Sequence, residues 1–131
     1  MSYGTLASDV IQSSTTGTPP QFNDGSGTQI GTLCRAWVNF DGTTNPGTIR
    51  GSFNVSSVTV NGTGDYNVNF TNSMPDTHYS TVSNVGEYQT TLTNRLITSN
   101  TINSSSVRVM VTVASTGSAY NDTSISTAVF R

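Results

Sequence analysis

Lysine is absent from this chain, and glutamate, histidine, cysteine and tryptophan occur once each, as Glu87, His78, Cys34 and Trp37. Charged residues make up only 9% of the 131 positions. Each shortage excludes something. Without lysine there is no phosphate-binding glycine loop of the kind that closes on a lysine. A single cysteine forms no internal disulfide, so the fold does not depend on oxidation; Cys34 reads as a small buried hydrophobe rather than a nucleophile or an intermolecular bridge. A single histidine leaves little for acid–base chemistry, which draws on His or on paired carboxylates in tuned environments. Asp24, Asp41, Asp65 and Asp122 all sit in Gly- or Asn-rich turns, where an Asp side chain serves nearby backbone amides. No Gly-x-Ser-x-Gly elbow occurs, and neither a Cys/His zinc cluster nor an acidic calcium loop is present. His78 could join its symmetry mates in a metal site on a threefold axis, but a lone His is far more often a surface or core residue. The inventory therefore points away from an enzyme, with no catalytic residue, metal or cofactor expected. A net charge of −2 and a pI of about 4.9 exclude the basic field that non-specific nucleic-acid binding needs, and gain nothing at an anionic membrane. No signal-peptide pattern or long apolar run is seen, so neither secretion nor membrane insertion is indicated.

Ser, Thr, Asn and Gly fill the space that charges usually take. Apolar residues alternate too regularly among them for a disordered chain. In the stretch 34–75, Cys34, Ala36, Val38 and Phe40 alternate with Arg35, Trp37 and Asn39, the period of a half-buried strand. Asp41-Gly42 and Asn45-Pro46-Gly47 break the chain. Ile49, Gly51, Phe53 and Val55 resume on odd numbers and Val58 and Val60 continue on even ones, so a bulge is expected at Ser56-Ser57. After a tight turn at 61–65, Tyr66, Val68 and Phe70 form the next strand.

Further on, Tyr79, Thr81, Ser83 and Val85 form a strand against His78, Ser80, Val82 and Asn84, with the buried face undecided. Residues 89–100 are β-rich, with ambiguous phase around Leu92, Leu96 and Ile97. Val107, Val109, Val111 and Val113 give the cleanest alternation; burying all four would contribute about 6–12 kcal/mol before entropy. Ile125, Thr127 and Val129 make the last strand, with Ser126, Ala128 and Phe130 opposite. No helical period, heptad or fixed repeat occurs. About seven short strands at this spacing predict an all-β fold, an antiparallel β-sandwich over 32–131 preceded by a short extended arm and linker over 1–31.

Four runs carry a resemblance: RAWVNFDG at 35–42, IRGSFNV at 49–55, NGTGDYNVNF at 61–70, and Met74-Pro75 before Asp76. Together they resemble a small domain of tail-fibre and other virion structural proteins of tailed phages, especially marine and cyanobacterial phages. The opening, GTL at 4–6 and DVIQ at 9–12, is similar less specifically. The resemblance covers about two thirds of the chain and fades after Val82. It implies a virion structural protein, a short tail-fibre or adhesin subunit contributing to host attachment, assembled in the host cytoplasm and acting as a homotrimer. The length leaves no room for a long fibre shaft. Two alternatives stay open: a capsid decoration or head-fibre protein, and a carbohydrate-binding module without an assembly role.

On this reading the arm, with Leu6, Val10, Ile11 and Phe22 as its apolar residues, docks on another virion protein or a neighbouring subunit; otherwise it is a mobile N-terminus. Trp37, with Arg35 beside it, faces away from the core. It is expected at a subunit contact, the other reading being a sugar-binding surface. Counting seven alternating strands brings 41–48, 72–77, 100–105 and Arg131 to one outer end, so Asp41, Asn45, Asn72, Asp76 and Asn103 are the candidate loop residues facing a host receptor such as a glycan.

Overall fold

The computed structural model describes residues 4, 7–8, 10–15, 20–86 and 94–131. The chain divides into two compact units, Met1–Leu33 and Cys34–Arg131.

In the first unit, β1 (Phe22–Asn23) and β2 (Gln29–Gly31) pair antiparallel, with Phe22 opposite Gly31. The Asp24 carboxylate closes the turn, accepting from the amides of Ser26 (2.9 Å) and Thr28 (2.8 Å) and from the Ser26 hydroxyl (2.7 Å). The Ser26 bond leads in holding the Asp24 carboxyl below its ordinary range. Residues 17–27, read from sequence as linker, therefore include a hairpin strand and its turn. The polar, Gly-rich composition that reads as linker is here turn chemistry. Val10, Ile11 and Phe22 are exposed, and Leu6 lies outside the described residues.

Among its described residues the second unit is an antiparallel sandwich of eight strands: β3 (Cys34–Asp41), β4 (Thr48–Phe53), β5 (Val55–Gly62), β6 (Asp65–Phe70), β7 (Ser80–Val85), β8 (Arg95–Asn103), β9 (Ser106–Val113) and β10 (Ile125–Phe130). One sheet runs β4-β3-β10-β7, the other β5-β6-β9-β8. The all-β sandwich is the architecture expected from the alternations. The first sheet buries Ala36, Val38, Phe40, Ile125 and Val129; the second buries Val58, Tyr66, Val68, Phe70, Val107, Val109 and Val111. Val113, expected with its three neighbours, is only half-buried, so the three full valine burials contribute about 5–9 kcal/mol before entropy. Phe40 meets Tyr66 edge to face across the sheets at 5.2 Å, and Phe70 meets Tyr79 at 5.9 Å. The β7 face left open by the sequence resolves with Tyr79 buried and Thr81, Ser83 and Val85 inward. Its hydroxyls pair there, Thr81 with Ser99 and Ser83 with Thr127. Cys34 is half-buried, its thiol 3.2 Å from the Ala36 carbonyl, and adds little to the core.

The strand count exceeds the expected seven because 49–60 is not one strand. The chain turns a corner at Asn54 (φ 54°) and passes from the first sheet to the second. Asn tolerates this left-handed backbone better than most residues. Its amide nitrogen donates to the Arg35 and Asn72 carbonyls, each at 3.0 Å, and its side-chain oxygen accepts from the Asn72 amide at 2.7 Å. The irregularity expected at Ser56 is present as well, between Val55 and Ser57. A second one lies in β4, where Asn39 and Phe40 face Gly51 and Ile49 and Arg50 is skipped. That skip turns Ile49 inward and Phe53 outward, so the odd-numbered alternation of 49–55 spans two faces.

The extra strand rearranges the ends of the sandwich. Residues 42–47 lie with the Thr63-Gly64 turn and 114–124, linked by Gly42 N to Asp122 O at 2.9 Å, Val111 N to Gly64 O at 2.8 Å and Tyr120 N to Val111 O at 3.1 Å. Gly86 joins them through its bond to Ser124 O at 2.9 Å; the rest of the expected turn, Glu87 and Tyr88, lies outside the described residues. Asn54, 71–79, 103–105 and Arg131 gather at the opposite end, where Cys34 continues from Leu33. Asp41 and Asn45 therefore lie at the far end, and Asn72, Asp76 and Asn103 at the end where β3 begins. The expectation that these five share one end is corrected: reading β4 and β5 as a single strand reversed every later loop.

Candidate functional site

Strand register, rather than any motif, assembles the candidate site. Ala128 on β10 lies opposite both Trp37 on β3 and Val82 on β7, and Trp37 lies opposite Phe53 on β4. Phe53, Trp37, Ala128 and Val82 therefore form one row across all four strands on the outer face of the first sheet. Three of them are large and open to solvent: Trp37 is 43% exposed, Phe53 56% and Val82 65%. The next row is Gly51, Asn39, Ser126 and Asn84. A β-carbon on Gly51 would sit 3.4 Å from the indole, so the glycine lets Trp37 lean along the sheet.

Side-chain size shapes this face. Ala128 and Ser126 are small and lie between Trp37 and Asn39 on one side and Val82 and Asn84 on the other. The result is an open groove of about 390 Å³ running along β10. Asn39 Nδ2 donates to Ser126 Oγ at 2.8 Å, while the exposed Asn84 side chain makes no hydrogen bond among the described residues. Two of the charges bordering the face pair with each other, Arg50 Nη2 lying 3.1 Å from Asp41 Oδ2.

The outer face of the second sheet is different. Its central row is Thr59, Asn67, Arg108 and Asn100. Asn69 Nδ2 donates to Ser57 Oγ at 3.0 Å and Thr59 Oγ1 at 2.9 Å, and Asn61 Nδ2 to Asp65 at 3.2 Å and Asn67 at 3.1 Å. Arg108 Nε donates to Asp65 Oδ1 at 2.8 Å, and its Nη2 pairs with Oδ2. This bond leads in lowering the Asp65 carboxyl. Asp65 thus serves an ion pair rather than a turn amide. This face pairs most of its polar groups laterally and leaves Leu96 and Met110 exposed in separate rows; the other presents a continuous apolar row.

The residues singled out by sequence land as follows. Trp37 is at the centre of the apolar row. Arg35 is half-buried at an irregularity where Ala36 and Cys34 face Val129 and Phe130, and its carbonyl serves Asn54. Asp41 Oδ1 accepts from the Thr43 amide (2.9 Å) and hydroxyl (2.6 Å), and the hydroxyl bond leads in lowering its carboxyl. Asp76 Oδ1 accepts from the His78 amide at 2.8 Å, and the pairing of Asp76 with Arg131 draws its carboxyl down to about 2. Asn103 Oδ1 accepts from the Ser105 amide at 2.8 Å. These three side chains are engaged in their own turns, whereas Asn45 is exposed. Among the described residues no group of three His, Cys, Asp or Glu side chains could hold a metal.

Sequence reasoning missed Phe53, Val82 and Asn84 as companions of Trp37. Parity groups Phe53 with Ile49, which the skip at Arg50 puts on the other face, and the sequence leaves the phase of β7 undecided. The alternation separates Ser126 and Ala128 from Ile125, Thr127 and Val129, but without register nothing joins them to Trp37. No protein-family model matches the chain, and neither a curated protein nor a solved structure matches it.

Proposed function

We propose that this chain is a phage virion structural protein, a short tail-fibre or adhesin subunit that contributes to host attachment. The observation that carries the reading is the contrast between the two outer faces. One pairs most of its polar side chains laterally and exposes Leu96 and Met110 in separate rows, while the other lines Phe53, Trp37 and Val82 in a single row. Large apolar residues gathered on one face mark a contact surface. The sequence resemblance in 35–42, 49–55 and 61–70 supports placing that surface on a virion.

In this reading Met1–Leu33 is the docking arm and Cys34–Arg131 the working domain. The arm joins at the end that carries Asn72, Asp76 and Asn103, so 42–47, Thr63-Gly64 and 114–122 are directed to the host. The particle is assembled in the host cytoplasm, and the resemblance implies a homotrimer. Trp37 at a subunit contact is one occupant of the apolar face; a ligand is the other.

Removing Met1–Leu33 tests the division of labour. The expected outcome is a folded Cys34–Arg131 domain, with the thermal midpoint of the intact chain, that no longer enters particles. Loss of folding, or undiminished incorporation, would contradict it.

A further inference from the structure

Resting on the contact-face reading, we propose that the groove along β10 binds an uncharged saccharide. The argument comes from its lining. Trp37 forms one wall and Val82 the other, above the small floor of Ala128 and Ser126. The flanking strands β3 and β7 lie about 9–10 Å apart, two strand spacings, so the groove admits one ring or one chain rather than a packed protein layer. A sugar ring has an apolar C–H face bounded by hydroxyls. The indole supplies the matching flat surface, and an aromatic side chain carries large contact area with little conformational freedom to lose.

The polar groups complete the match. A hydroxyl both donates and accepts, and so do an amide side chain and a serine. Asn39 Nδ2 is committed to Ser126 Oγ at 2.8 Å. That leaves the Asn39 carbonyl as an acceptor and the Ser126 hydroxyl proton as a donor, while Asn84 has its whole amide to offer. A dry apolar protein surface laid over the groove would bury these groups without partners, which is costly for each; a saccharide satisfies them. The groove lining holds no charged side chain. A neutral sugar therefore fits better than an anionic glycan or a nucleic acid.

Trp37 is the only tryptophan, so tryptophan emission of the full chain, excited at wavelengths where its tyrosines absorb little, reports on this groove. The probes are maltotriose, mannotriose and chitotriose, with sialyllactose as the charged comparison and sedimentation run in parallel. At least one neutral trisaccharide is expected to change the emission saturably, more strongly than sialyllactose. Asn84→Ala, which keeps the fluorophore, should weaken that binding about tenfold. A flat response to all three neutral sugars overturns the proposal, as does equal affinity in the Asn84 variant. Self-association abolished by Trp37→Ala, with no sugar response, means that a second copy occupies the face; the saccharide assignment then fails while the contact-face reading survives. If no neutral sugar changes the emission of the parent chain, and Trp37→Ala alters neither self-association nor adsorption of particles to host cells, both fail.

Discussion

Replacing Gly64 with alanine is expected to destabilise the β-domain by about 3–5 kcal/mol, while the same change at Gly62, in the same turn, costs about 0.5 kcal/mol or less. Gly64 has a φ of +64°, where an L-residue costs about 1–2 kcal/mol. The added β-carbon would also overlap the Val111 carbonyl oxygen and lie 2.7 Å from the Tyr120 nitrogen and 2.9 Å from its oxygen. All are backbone atoms, so no side-chain rotation relieves the clash. They are held in place besides, because Val111 N donates to Gly64 O and Tyr120 N to Val111 O. The Gly64 amide itself donates to Asn121 Oδ1 at 2.6 Å, and the Tyr66 hydroxyl lies 2.9 Å from that same oxygen. Burial, reinforced by the nearby Asp122 carboxylate, pushes this phenol up to about 12, so it remains a donor at neutral pH. Gly62 has open space around its α-carbon and no left-handed backbone. In thermal melts a domain of this size loses about 4–8 °C per kcal/mol, so Gly64→Ala should melt roughly 12–40 °C lower. Equal midpoints for the two variants would contradict the packing described at the far end.

A comparable loss is expected from Arg95→Met. Asp122 is completely buried, and Arg95 is 11% exposed with its Nε 3.5 Å from Asp122 Oδ2. Its guanidinium also stacks on Tyr120, 3.6 Å from the ring centroid. Methionine keeps much of the bulk and removes the charge, leaving a carboxylate inside the sandwich. Removing one partner of a buried pair costs about 3–5 kcal/mol, whereas replacing both is far less harmful. Arg95→Met should therefore lower the urea midpoint sharply with an unchanged slope, and adding Asp122→Asn should recover at least about half the loss. A single variant within about 1 kcal/mol of the parent, or a double variant no better than the single, would show that the pair does not hold this end together.

How far the fold was legible follows from where each strand lies. β3, β9 and β10 each bury one face, so their alternation was clear in Ala36-Val38-Phe40, Val107-Val109-Val111 and Ile125-Thr127-Val129. β7 and β8 lie at sheet edges, and hydroxyls such as Thr81, Ser83 and Ser99 take part of their inward face, which blurs the hydrophobic period. The corner at Asn54 escaped notice because β-rich sequence continues on both sides of it. Its only local sign was an Asn able to adopt positive φ. The skip at Arg50 left no sign at all, and it moved Phe53 from the expected core to the contact face. Trp37 was recognisable as an outward residue. Its row-mates were not, because which residues stand beside it depends on the pairing of four strands brought together from distant parts of the chain.

The most direct measurement for the account as a whole is imaging of particles with this chain labelled, by a tag antibody visible in electron micrographs. The expected result is label on the tail or its fibres. Label on the head surface would assign the chain to capsid decoration or head fibres and contradict the attachment role, and particles without label would contradict a place in the virion altogether.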